Sequence, residues 1–529
     1  MHKITIFHYH LLTGGITQVI YSSIKSILHS AAEQFDITIA CGRNERRAQL
    51  IDSLNQELKD AGINAEVKSE HMPEIDYLVE QSTQPTVEEI RRKLTEKFSG
   101  STWWVHNYHI GKNPLFTEAL TQIAREQPQQ QIVLHIHDFP ESGRFSNLKA
   151  LYEFMHSPLY PLSGNVRYVV INSRDRDILA EAGVPRDQLF LLNNPIEAQQ
   201  EERIDYWDVQ QKISSWASGH SMRWEPEGKL LLYPVRTIRR KNVLEAGLLG
   251  NLMESPTNLL VTLPGVSKQE QAYSNLVQGA FQNRLIAGSW GIGKHLDEIG
   301  ISFTELTRSA DAIVSTAIQE GFGYLFINSV LWGVPLIAHE LDILEGIRST
   351  FHPDSSLFYK SMQIPLTTGD RAALGDAYTQ MIKSIGPLLP DGQEKRLHYE
   401  VEQLLADELI DYSFLTVELQ YEFLKRSAES EDFVNELREI NAEIVATAEN
   451  LLRGPKVRNR EHIVREFGPA AHTKTVQRIL GSFHEYNHDT ARLAESTTID
   501  KSGGVAGDPV HQTVLQAFNH LAYLRPLFF

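Results

Sequence analysis

Short apolar runs alternate with longer helical patterns along this chain, and they do so in two successive series. In the first, Ile4–Phe7, Phe35–Ala40, Trp103–His106, Gln131–His137, Tyr168–Asn172 and Leu189–Leu192 read as strands, with a helix over Val19–Ser30 and further helical stretches between. In the second, Leu230–Pro234, Leu259–Leu263, Ala312–Ser315 and Pro335–Ala338 read as strands. Its helices fall at Val243–Met253, Ser302–Ser309, Phe326–Trp332 and Arg371–Ile385. Strand–helix alternation predicts a parallel sheet with crossover helices. Each strand ends in polar or glycine residues, which belong to the carboxyl edge where ligands bind in open α/β sheets.

The expected fold class is therefore α/β. Residues 1–198 form one Rossmann-like domain and 199–228 an interdomain connection, irregular or helical, rich in Gln, Glu, Asp and Ser. Residues 229–428 form a second Rossmann-like domain. From Glu394 the strand signals fade. Leu397–Ser427 and Asp432–Leu452 carry helical periodicity, and residues 429–529 read as a helical extension with a break at Ser502-Gly503-Gly504. A chain of 529 residues has room for such a division.

Composition excludes several classes. The net charge of -17 argues against a general nucleic-acid binder, which needs a basic face. With 42% hydrophobic and 22% charged residues the chain is not disordered. The single cysteine, Cys41, allows no internal disulfide and no multi-cysteine metal site. No apolar run reaches the ~20 residues of a membrane span. Met1–His8 reads as a strand rather than a leader, so a cytoplasmic location is expected.

One stretch concentrates chemistry. Ala310–Thr316 is followed by Gln319-Glu320-Gly321-Phe322-Gly323, then by a helix through Asn328, then by Gly333-Val334-Pro335. The glycines let backbone approach a ligand, and the helix start offers unpaired N–H groups. Glu320 can accept hydrogen bonds from hydroxyls; taken alone, it is equally a helix-start acid. Upstream, between Lys229 and Glu245, five basic residues (Lys229, Arg236, Arg239, Arg240, Lys241) face one acid. That is a local cationic spot inside an acidic chain.

Together these motifs resemble the donor-binding signature of GT-B glycosyltransferases, most closely retaining family 4. The resemblance covers roughly residues 1–425 and concentrates in 230–346. It implies two Rossmann-like domains facing across a cleft, plus the helical extension. It implies transfer of a sugar from a nucleotide diphosphate sugar to an acceptor with retention, a reaction of the EC 2.4 class. By it, Glu320 holds donor hydroxyls, with Gly321, Phe322 and Gly323 beside it. Arg236 and Lys241, five apart, clamp the diphosphate, while Arg239 and Arg240 are expected as surface or helix-start charges. Asn328 stands where the family has a second Glu that holds the ribose. Gly14 and Gly15, after the first strand, are expected at the donor phosphates. The His135-Ile136-His137-Asp138 segment resembles the family's His-Asp element, with His137 near the sugar.

Three histidine pairs, His8/His10, His106/His109 and His135/His137, stand at three strand ends. They fit an acceptor pocket, a metal site, or hydrogen-bonded edge residues. His10, His109 and Asp138 are the expected acceptor contacts. No cofactor and no catalytic metal are expected. The expected partners are a nucleotide-sugar donor and a sugar, lipid or small-molecule acceptor, and a homo-oligomer through the extension. Two rivals share these features. One is a sugar phosphorylase or epimerase of the same fold; the other is a non-catalytic sugar- or nucleotide-binding subunit.

Overall fold

Seven parallel strands build the first sheet of the computed structural model: β1 His2–His8, β2 Phe35–Cys41, β3 Lys68–His71, β4 Thr102–His106, β5 Ile132–Ile136, β6 Val166–Val170 and β7 Leu189–Leu191. The structure describes residues 1–81, 83–197, 204–219, 223–454, 459–486 and 504–527. The strand order is β3-β2-β1-β4-β5-β6-β7. Strands β4, β5 and β6 are buried at every position, which explains their near-continuous apolar sequence. The polar edge strand β3 was not anticipated: Lys68-Ser69-Glu70-His71 carries no apolar run.

A second sheet runs β8 Lys229–Arg236, β9 Thr257–Leu263, β10 Gly288–Trp290, β11 Ala312–Ser315, β12 Leu336–His339 and β13 Ser356–Tyr359, in the order β10-β9-β8-β11-β12-β13. It too is parallel throughout. The expected α/β class and the two Rossmann-like sheets are both present. In each sheet the order reverses once, between β1 and β4 in the first and between β8 and β11 in the second. At such a switch point neighbouring loops leave the carboxyl edge in opposite directions and open a crevice.

Two compact units result. The first holds residues 1–197, 388–390 and 464–519; the second holds 198–387, 391–463 and 520–529. The tail is therefore not one extension, as residues 429–529 were expected to be. The helix Pro469–Tyr486 lies against Gly15–Ala31 in the first unit, and Thr473 donates to the Ser26 carbonyl at 3.0 Å. Its Val476, Ile479, Leu480 and Phe483 join Ile20, Ile24, Ile27 and Trp104 in one core cluster. Cys41 is buried in the same cluster.

Other expectations shift. Leu397–Ser427 is not one helix: Gln393–Ala406 and Val417–Glu429 are separated by a short strand, Leu409–Asp411, paired antiparallel with Gln363–Pro365. Asp432–Leu452 divides at Asn441 into Glu431–Ile440 and Ala442–Arg453. Within the expected connection, Tyr206–Ser218 is a helix capped by the Asp205 carboxylate. Residues 199–203 and 220–222 of that connection, and Ser502-Gly503 of the expected glycine-rich break, lie outside the described residues. Among the described residues, no helix is long and apolar enough to cross a membrane.

Candidate active site

In the second unit the loops after β8 and β11, which flank the switch point, are laced together. The Ile318 N–H donates to the Arg240 carbonyl at 2.9 Å. Thr316 Oγ1 donates to the Asn242 carbonyl at 2.8 Å, and the Tyr233 hydroxyl donates to the Lys241 carbonyl at 2.7 Å. Asn242 adopts the left-handed conformation (φ 51°), and its side chain accepts from Arg239 and Gln420. These bonds fix a tight turn over Arg239–Lys241.

That turn sends its three cations to different places. Lys241 Nζ is ion-paired with Glu320 Oε1, and the side chains are only 13% and 15% exposed. Arg240 reaches the other Glu320 oxygen at 3.5 Å and donates to the Gln319 carbonyl at 3.2 Å. Arg239 is buried and donates to the Ser413 and Leu415 carbonyls. The expectation of surface or helix-start charges is corrected for Arg239, which is buried, whereas Arg240 is partly exposed at a helical turn and also faces Glu320. Burial by itself would raise the Glu320 carboxyl, but Lys241 and Arg240 outweigh it and hold the group below its ordinary value. Arg236 is 48% exposed and leans to Glu270 at 3.5 Å. It is not paired with Glu320, although its charge is felt at Lys241.

Beyond Glu320 the chain passes Gly321 and Phe322 and enters the helix Tyr324–Trp332 through Gly323 (φ +79°). A side chain there would be strained and would approach Phe326 to 3.1 Å. The first N–H groups of that helix have no intrahelical acceptor. Asn328 is half-buried on the same helix and makes no side-chain hydrogen bond among the described residues. An anion or a hydroxyl-rich ligand placed here meets two cations, one carboxylate and a helix amino terminus.

In the first unit the histidines stand at the carboxyl ends of β1, β4 and β5 and in the loops just after them. His106 is in register with His135, and His8 stands one step beyond the Phe7–Val105 pair. His135 and His137 share a face, with ring centroids 4.2 Å apart; His8 and His10 are 5.5 Å apart. Burial and neighbouring rings push His8 down to about 3; burial likewise pushes His137 down to about 4, against the pull of Asp138. His109 is fully buried among Tyr108, Phe139 and Tyr160, beneath the surface where an acceptor contact was expected. Asp138 is half-exposed and ion-paired with Arg144 at 3.2 Å. Gly14 and Gly15 are exposed. Gly14 is extended (φ 179°), and a Cβ on Gly15 would meet nothing within 4 Å, so the pair makes no forced turn and leaves room for a ligand.

Asn107 was missed by sequence reasoning. It sits in the left-handed region (φ 49°) just after β4, and its Oδ1 accepts the His137 N–H at 2.8 Å and the Asp138 N–H at 3.3 Å. An Asn directly after a strand is the signal that could have found it, since Asn tolerates that conformation best among non-glycines.

Two buried trios have metal-ligating types within 4.8 Å of one another: His106/His135/His137 and Glu245/His339/Asp411. Neither fits an ion well. Trp104 Nε1, which can only donate, donates to His135 Nδ1 at 3.1 Å. A neutral His135 then carries its proton on Nε2, the nitrogen a metal would need. In the second trio the Arg525 guanidinium already lies 3.6 Å from Asp411.

Comparison with known proteins gives an extended sequence match. The mannosylglucosyl-3-phosphoglycerate synthase of Petrotoga mobilis is 30% identical over 459 residues, 85% of this chain and 86% of that one. No family model matches. Among solved structures, Anabaena HepE in complex with UDP-glucose covers 91% of this chain at 11% identity and a TM-score of 0.47, with all of its own chain aligned. The lipopolysaccharide outer core galactosyltransferase WaaB aligns over 91% of this chain and 99% of its own at 12% identity and a TM-score of 0.44.

Proposed function

We propose that this chain, which belongs to the mannosylglucosyl-3-phosphoglycerate synthase family of glycosyltransferases, moves a hexosyl group from a nucleotide diphosphate sugar to a small anionic acceptor of the glycosyl-phosphoglycerate kind, with retention at the anomeric carbon. The observation that carries the donor half is the Lys241–Glu320–Arg240 constellation at the β8/β11 switch point. The acceptor half rests on the relative's product name.

In this reading Glu320 accepts hydrogen bonds from donor sugar hydroxyls. Lys241 and Arg240, with Arg236 further out, stabilise the charge that accumulates on the departing diphosphate. Gly321, Phe322 and Gly323 line that site, and Asn328 is assigned to the nucleotide ribose. The acceptor hydroxyl attacks the anomeric carbon as the carbon–oxygen bond to phosphate breaks. Its proton passes to the departing phosphate oxygen, and the nucleoside diphosphate leaves. This route needs no protein nucleophile and no metal, and its rate comes from positioning and fixed charge. From the first unit, His10, His137 and Asp138 are assigned to the acceptor, and Gly14 and Gly15 to a phosphate-bearing ligand.

The test is a donor screen with UDP-, GDP- and ADP-sugars against a glucosyl-phosphoglycerate acceptor, with product configuration read by NMR. One donor should be consumed to give a disaccharide product whose new linkage keeps the donor's anomeric configuration. Sugar release that requires inorganic phosphate, epimerised donor, or binding without turnover across the panel would overturn the reading.

A further inference from the structure

Three carboxyl-edge loops of the first sheet converge on one aromatic ring, that of Tyr77, and a fourth brings a charge near it. Past β1, His10 Nε2 lies 3.1 Å from the Tyr77 hydroxyl, and its Nδ1 is buried without a partner among the described residues. Past β2, the Arg43 guanidinium lies 5.4 Å from the Tyr77 ring centroid. Past β4, Lys112 Nζ lies 5.5 Å from the same centroid. Past β5, Arg144 is near enough for its charge to act on both Lys112 and Tyr77.

The backbone around this ring is firmly built. Gly42 packs so closely on Asp76 that a Cβ there would fall 2.3 Å from its nitrogen. The Leu78 N–H donates to the Lys112 carbonyl at 2.9 Å. Asn113 Nδ2 donates to the Asp76 carbonyl at 2.7 Å. The Lys112 loop is pinned to the Arg144 loop by Asn147, whose Nδ2 donates to the Ile110 carbonyl at 2.8 Å. Gly111 (φ +75°) would bring a Cβ within 2.5 Å of the Asn147 carbonyl oxygen.

The cations and carboxylates here are equal in number but unevenly paired. Arg43 Nε donates to both Asp76 oxygens at 2.8 Å and its NH2 lies 3.6 Å from Glu80. Arg144 is paired with Asp138. Lys112 is half-buried and has no carboxylate within ion-pair distance among the described residues. Burial, then the charge of Arg144, lowers its pKa. A half-buried lysine with a second cation nearby and no carboxylate in contact is suited to an anionic ligand.

We propose that the loops around Tyr77 form the anion subsite of the acceptor, in which Lys112 Nζ, with Arg144, His10 and the Tyr77 hydroxyl, holds a carboxylate or phosphate. This rests on the reading of the protein as a transferase with an anionic acceptor. The subsite supplies what the histidines alone do not, a cation for the acid end of the molecule.

The test uses the full chain and calorimetric titration with 3-phosphoglycerate, D-glycerate and inorganic phosphate. Wild type should bind 3-phosphoglycerate, and Lys112→Met should weaken it tenfold or more, with Lys112→Arg restoring most of the loss. Melting temperature and nucleoside diphosphate binding should be unchanged in Lys112→Met, which separates lost contact from lost fold. Binding of D-glycerate assigns the carboxylate and binding of inorganic phosphate the phosphate. If Lys112→Met binds 3-phosphoglycerate as wild type does, or wild type binds none of the three probes, the subsite is wrong. If Lys112→Met loses 3-phosphoglycerate but wild type transfers no sugar to any phosphoglycerate acceptor, the subsite stands and the acceptor reading fails.

Discussion

Lys241 and Glu320 are ion-paired from loops that follow neighbouring strands of one sheet, with Arg240 on the second carboxylate oxygen. The sheet reverses its order between those strands, so the pair stands where a crevice opens. Glu320 can serve a ligand only while these cations keep it ionised. The cations in turn stay in place because the backbone of their turn is bonded to the β11 loop.

Removing Lys241 should therefore do more harm than removing either arginine. Lys241→Ala takes away the diphosphate contact proposed above and leaves a buried carboxylate with Arg240 alone. The cost is on the order of 3 kcal/mol in barrier, as for loss of one preorganised charge donor. Arg240→Ala should cost less, and Arg236→Ala least, because Arg236 is exposed and already leans to Glu270. Steady-state kcat/KM for the three variants checks the order. Equal effects, or Arg236 first, would contradict it.

Acid should loosen the first unit before it touches the Glu320 site. His8, His137 and His472 are pushed down to about 3, 4 and 4, chiefly by burial. Their unfolded forms take up a proton near 6.5. Between 6.5 and about 4 the unfolded chain thus binds more protons than the folded one, so stability falls as pH falls. The slope is about 1.4 kcal/mol per pH unit for each such histidine. Glu320, depressed below its ordinary 4.5, loses its contribution only below that pH. Scanning calorimetry from pH 7.5 to 5 should show the first unit's transition moving down, and His472→Gln should flatten the trend. A transition independent of pH over that range would refute the assignment.

Asn107 should behave as a positioning residue. Asn107→Gly keeps the left-handed backbone and loses the bonds to the His137 and Asp138 amides; Asn107→Ala loses both. The expected stability losses are about 1 kcal/mol for Gly and about 2 kcal/mol for Ala. Acceptor KM should rise in Asn107→Gly while donor KM holds. Kinetics with each substrate varied in turn reads this directly, and a change confined to the donor would sink it.

The tail should prove structural for the first unit. His511, on the helix Pro509–Phe518, is paired with Glu141 at 2.6 Å, and both side chains are fully buried. Asp508 caps that helix and accepts the Tyr160 N–H at 2.9 Å. His511→Ala leaves Glu141 buried beside Tyr160 alone and should cost about 3 kcal/mol. Asp508→Ala should cost about 1 kcal/mol for the cap and more for the second bond. Chemical denaturation of both variants tests this, and unchanged midpoints would argue that the segment is dispensable.

Much of this was legible beforehand, for definite reasons. Parallel strands buried on both faces need apolar runs, so β4, β5 and β11 stand out. Edge strand β3 is half solvated and spelled Lys-Ser-Glu-His, so it does not. Glu320 and Lys241 could be paired by motif. The opposite fates of Arg239 and Arg240 could not, because a single tight turn splays three consecutive side chains and sequence carries no signal for which way each points. The amphipathic tail helices announced an apolar face without naming its partner. Helical period says that a face is buried, and only the contact says against what. The histidine pairs were visible as pairs, but the Trp104 bond that sets the His135 tautomer joins strands 31 residues apart.

The division of the tail has a bearing on how the protein is made. The core of the first sheet includes Val476, Ile479, Leu480 and Phe483, while the helix Gly15–Ala31 that they pack against is synthesised long before them. Until then that cluster lacks one of its walls, and a whole second sheet is synthesised before the wall arrives. A nascent chain of this design waits with its amino-terminal half unfinished. Premature termination before residue 464 releases a product with every strand of its first sheet but without the four tail side chains of its core.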